Sequence, residues 1–84
     1  MQADFFVKQC YDVGGVSLML AGNVESGEIA EGSIGVTSKG KRFTVVKIEK
    51  DGDRIPVALR KDKVNLSIKN VTRVDIRVGE IIHF

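Results

Sequence analysis

The stretch Gly22-Asn23-Val24-Glu25-Ser26-Gly27-Glu28-Ile29-Ala30-Glu31-Gly32 decides how this chain is to be read. An extended run carrying Val24 stops at Ser26-Gly27, and Gly27, lacking a Cβ, can take the left-handed backbone that a sharp reversal needs. Ile29 returns the chain to an apolar interior, and Glu31-Gly32 signals a second turn. The carboxylates Glu25, Glu28 and Glu31 would share a face on a helix. In a segment this rich in turns they do not, and they read as solvated charge.

On either side of this stretch, strand signals recur about every ten residues, each closed by a turn signal, and no segment sustains a capped helical period. Upstream, Asp4 to Tyr11 carries Phe5, Phe6 and Val7 and ends in Asp12-Val13-Gly14-Gly15. Val16 to Glu25 follows, with Leu18, Met19 and Leu20 making its middle apolar on both faces, as a central barrel strand can be. Downstream, Ser33 to Thr37 is a short strand leading into the basic loop Ser38-Lys39-Gly40-Lys41. Arg42 to Lys50 sets Thr44, Val46 and Ile48 on one face and Phe43, Val45 and Lys47 on the other. Asp51-Gly52 is a strong two-residue hairpin signal. Pro56 demotes Arg54 to Leu59 to an edge or irregular piece. Val64, Leu66 and Ile68 alternate cleanly with Asn65, Ser67 and Lys69, a polar stretch covers 70–77, and Val78 to Phe84 closes the run.

Six principal strands in one small chain favour closure, because a closed barrel has no exposed edge to invite aggregation. The expected core is Leu18, Leu20, Ile29, Val45 or Val46, Ile48, Val64, Leu66, Ile68 and Ile81. The length of 84 residues has room for one domain, residues 1–84, and 43% hydrophobic with 29% charged residues is an ordinary globular balance. The net charge of +2 is too small for general attraction to nucleic acid or membrane, so such binding requires a local patch. The single cysteine, Cys10, excludes an intrachain disulfide and points to a reducing interior. Neither a signal peptide nor a membrane span is legible, which makes the cytoplasm the default location and a membrane partner unexpected.

The opening stretch is similar to the segment of domain 2 of translational GTPases such as elongation factor Tu that reads G-x-V-E-S-G-x-I-x-x-G. The similarity continues through Val45 and Ile48-Glu49, then Ala58 to Val64 against A-x-x-G-D-x-V, and ends with Asp75-Ile76-Arg77-Val78-Gly79-Glu80-Ile81-Ile82 against D-I-x-x-G-x-V-L. It covers nearly the whole chain. The family usually has glycine where Ser17, Lys61 and Asn70 stand. The resemblance implies an all-β fold, a small closed six-stranded Greek-key barrel, here without its GTPase. It also implies an association with translation, since domain 2 of such proteins helps hold charged transfer RNA or docks on the small ribosomal subunit. The matching residues are turn and core positions, so no RNA-contacting residue transfers individually.

Catalytic chemistry finds little support. Gly35 to Lys41 satisfies G-x-x-x-x-G-K, yet Arg42 stands where a magnesium-ligating Ser or Thr belongs, and a strand pattern follows instead of a helix. The N-K-x-D guanine-reading motif is absent. His83 has no partners for a triad or a metal site, Cys10 reads as a small buried hydrophobe, and Asp51 and Asp53 serve a turn. No catalytic residue, metal, nucleotide or other cofactor is expected. The candidate contact residues are basic: Lys39, Lys41 and Arg42 in one loop and Arg60, Lys61 and Lys63 in another, with Arg73 and Arg77 in a third. With few aromatics to stack bases, single-strand readout on an aromatic platform is not expected. The expectation is a non-enzymatic module that binds RNA or the ribosome. The alternative is an assembly module that binds another protein through its loops or barrel edge.

Overall fold

The computed structural model describes residues 2–14 and 17–84. The elements are β1 (Asp4–Val13), β2 (Ser17–Ser26), β3 (Ile29–Ala30), β4 (Ile34–Val36), β5 (Arg42–Lys50), β6 (Asp53–Arg54), β7 (Val57–Ala58), β8 (Lys63–Lys69), a 3₁₀ turn (Arg73–Asp75) and β9 (Ile81–His83). Gly15 and Val16 of the first hairpin lie outside the described residues.

Six of these strands close a ring in the order β4-β9-β1-β2-β8-β5, and a β4–β5 ladder joins its ends. Every pairing is antiparallel. β2 is flanked by β1 and β8 rather than by the strand that follows it, which is the Greek-key departure from a simple meander. The small β3–β7 ladder lies outside the ring, and β6 extends β5. The Asp51-Gly52 hairpin forms as its sequence requires: Lys50 pairs with Asp53, and both turn residues have positive φ, 53° and 86°.

Inward-facing residues fill the barrel. Phe5, Val7, Leu20, Val24, Ile29, Phe43, Val45, Ile48, Leu66, Ile68 and Ile82 are all but sealed from solvent, and Phe43 meets Phe84 edge-on at 5.8 Å between ring centroids. Gly22 lies under β1, where an added Cβ would stand 1.9 Å from the Phe6 carbonyl oxygen. Gly27 has φ of +69°, and a Cβ there would stand 2.1 Å from the Gln2 carbonyl oxygen, so Gly22 and Gly27 are required by contact, and Gly27 also by its turn.

Two expectations about the core change phase. β5 carries a bulge between Val45 and Lys47, so Phe43 and Val45 point inward and Ile48 does as well, while Val46 is exposed. In the last run Ile82 is sealed and Ile81 only half-buried, and the strand starts at Ile81 rather than Val78. The reason is local: Gly79, at φ +96°, donates its N–H to the Val7 carbonyl, and Val7 N–H bonds the Glu80 carbonyl, which ends the preceding loop before pairing begins.

Candidate functional site

Strand directions sort the basic residues onto two ends of the barrel. One end, called upper here, carries the β1–β2, β4–β5 and β8–β9 connections. The other, lower end carries the β5–β6 hairpin and the loop entering β8. Lys39, Lys41 and Arg42 are exposed at the upper end, whereas Arg60, Lys61 and Lys63 are exposed at the lower end. Arg73 and Arg77, from the third basic loop, join the first group. The closed ladder therefore unites the first and third basic loops and separates the second.

The upper loop is held by its own backbone and by the segment opposite. Thr37, buried at 4% exposure, accepts the N–H groups of Lys39 (3.2 Å) and Lys41 (3.1 Å) on its hydroxyl oxygen. Thr37 N–H donates to the Lys41 carbonyl, and Gly40 N–H to the Thr37 carbonyl. Across the gap, Ser38 N–H donates to Glu80 Oε1 at 2.8 Å, and Lys39 Nζ donates to the Val74 carbonyl at 2.8 Å. Glu80 also accepts the Arg77 N–H, so one carboxylate ties both basic loops. A strand-turn-strand of this kind has no helix N-terminus with which to cradle a phosphate, as the sequence of Gly35 to Arg42 already indicated.

The 3₁₀ turn below this loop is closed by a capping box in which Asp75 accepts the N–H and hydroxyl of Thr72. The Thr72 N–H is the main reason that the Asp75 carboxyl titrates below its ordinary range, and the nearby Lys41 and Lys39 charges add to it. Arg73 lies within electrostatic reach of Cys10, whose thiol is pushed up chiefly by burial. Apolar side chains stand among these cations: Val74 is 77% exposed and Val78 58%, with Tyr11 and Val13 also open. The surface is mixed, and sequence reading missed its apolar part because Val74 falls in a stretch read as polar and Val78 in a run read as the closing strand.

The lower loop is equally ordered. Asp62 accepts the Leu59 N–H at 2.8 Å and pairs with Lys50 at 2.9 Å, and the Lys50 ammonium is the first cause of its lowered carboxyl pKa. Lys61 has φ of 76° and donates its N–H to the Val24 carbonyl, so the turn keeps the left-handed shape that glycine gives in the family pattern. Glu31, expected to be solvated, instead takes two hydrogen bonds from Arg54, at 2.8 and 3.1 Å. His83 is exposed and touches Asp4 at 2.6 Å. Among the described residues no group of three His, Cys, Asp or Glu could hold a metal ion, and no helix is long and apolar enough to cross a membrane.

No protein-family model matches the chain. Elongation factor 1-alpha of Blastobotrys adeninivorans is 30% identical over 76 residues, which are 89% of this chain and 17% of that protein. Among solved structures, translation elongation factor SelB of Methanococcus maripaludis superimposes with a TM-score of 0.89 at 17% identity, over 99% of this chain and 19% of its own. A bacterial selenocysteine-specific elongation factor, EF-Sec, gives a TM-score of 0.84 at 25% identity, over 95% of this chain and 14% of its own. The chain thus spans less than a fifth of the length of each of these proteins. Ring closure, the glycine-marked turns and these similarities agree: the chain is a six-stranded β-barrel like domain 2 of the translation elongation factors.

Proposed function

We propose that this barrel is a non-enzymatic, translation-associated module that holds RNA through its upper end, with Lys39, Lys41 and Arg42 as the phosphate-facing cations. The observation that carries the reading is the locked β4–β5 loop. Thr37, Glu80 and the Val74 carbonyl fix the loop backbone and one ammonium before any ligand arrives, so binding costs less ordering. The similarity to translation elongation factors supports the association with translation. Such a module would work wherever its partner RNA is found, in the cytoplasm on the sequence reading.

Changing Lys39, Lys41 and Arg42 together to Glu should weaken binding to total RNA or ribosomes and leave the thermal midpoint nearly unchanged, because these side chains are exposed. The salt dependence should flatten by about 0.7 to 0.9 slope units for each phosphate that the variant no longer neutralises. Unchanged RNA binding by the triple variant would refute the assignment of this loop. The exposed Val74, Val78 and Tyr11 favour a second reading, a protein partner seated on the same end. Capture from lysate with and without ribonuclease separates the two: disappearance of ribosomal components on digestion supports RNA, and a nuclease-resistant protein supports the second reading.

A further inference from the structure

The barrel wall has a second polar surface that faces away from the upper end. Lys8, Asn23, Lys63 and Asn65 line an open groove of about 380 Å³ that spans β1, β2 and β8, together with Glu49 of β5 and Asp51 of the hairpin that follows it. Its construction follows from register. Asn23 stands opposite Lys63, and Ala21 opposite Asn65, so these four side chains share the outer face. In β1 the pairing slips between Val7 and Gln9, and Lys8 is the residue left over. The bulge turns Lys8 outward beside them.

Neither lysine has an ion-pair partner among the described residues. The Asn23 Oδ1 atom is closed off from solvent and accepts no hydrogen bond, which is costly for an amide unless a donor reaches it. The sealed oxygen leaves the amide nitrogen as the end of Asn23 that can reach the groove, as a donor. The groove thus offers two lysines without ion-pair partners among the described residues beside amide groups, while Glu49 in the same lining is engaged by Lys47. A ribose-phosphate chain presents the matching groups, an anion and then a hydroxyl that is both donor and acceptor. Strand addition by a peptide is unavailable here, because the β2 and β8 backbones already pair with each other along this face. Lys63 also continues into the exposed Arg60 and Lys61.

We propose that this groove is a second RNA-backbone contact, in which Lys8 and Lys63 hold phosphates and Asn23 and Asn65 hold a 2′-hydroxyl. It rests on the RNA-binding reading above and adds a different surface and a discrimination between RNA and DNA. The probe is a labelled single strand about 12 nucleotides long, in RNA and DNA versions of one sequence, titrated at several salt concentrations. The parent should prefer RNA. Asn23→Ala should lower RNA affinity about fivefold and leave DNA affinity unchanged, as removal of one hydrogen bond to the sugar requires. Should Asn23→Ala not fold, Asn65→Ala reads the same ratio. Lys8→Gln with Lys63→Gln should weaken both strands alike and reduce the salt slope by about 0.7 per phosphate. An RNA-to-DNA ratio untouched by the asparagine variants, or a slope untouched by the lysine pair, overturns the proposal. If the upper-end triple variant weakens RNA binding and the groove variants do not, the groove alone is refuted. If the parent binds no RNA, both readings fall.

Discussion

Lys61 shows what one residue can conceal. The loop entering β8 needs a left-handed backbone, and a lysine supplies it at φ 76° where glycine would do so without strain. Lys61→Gly should therefore change stability by less than about 1 kcal/mol, because relief of the strained φ offsets the greater freedom of glycine in the unfolded chain. Gly22 is the opposite case. Its missing Cβ admits the β1 backbone and the Phe5 ring, so Gly22→Ala must move a strand, and the cost should reach about 3 kcal/mol or more. Denaturant melts of the two variants check both statements. Gly27 and Ile29 could be read directly, since a turn and a return to the core each name a residue type. Gly22 could not, because its requirement comes from the strand packed on it.

At the scale of the element, the bulges are what sequence alternation missed. β8 has none, and its Val64, Leu66 and Ile68 all face inward as their spacing suggests. β5 has one, and the inward set slips by a residue after Val45. The slip predicts an asymmetry between neighbours of identical chemistry. Val45→Ala should cost about 2 kcal/mol and Val46→Ala less than about 0.5 kcal/mol, since Val45 is 1% exposed and Val46 46%. The corresponding bulge in β1 places Lys8 on the outer wall. A period-2 pattern cannot signal a bulge, because the extra residue is specified by the curvature of the closing sheet.

On the scale of the whole molecule, ion pairs and a capped turn hold the loops at each end of the barrel, and their titration gives a pH signature. Asp62, Asp75 and Glu31 all titrate lower in the fold than their ordinary values, through Lys50, the Thr72 N–H and Arg54 respectively. The unfolded chain therefore takes up protons first as pH falls. The stability these groups contribute should be complete above the ordinary carboxylate range and be lost progressively below it, as each folded group is at last protonated. Thermal midpoints should be level near neutrality and fall only in acid; a decline beginning well above the carboxylate range would contradict this assignment. By itself the sequence determined the principal strands, the Asp51-Gly52 hairpin and the family likeness, because each depends on local chemistry or spacing. Only the tertiary structure decided that Lys39, Lys41 and Arg42 share an end with Arg73 while Arg60, Lys61 and Lys63 lie opposite. That division is set by strand direction around a closed ring, which joins residues far apart in the chain and leaves no trace in their spacing.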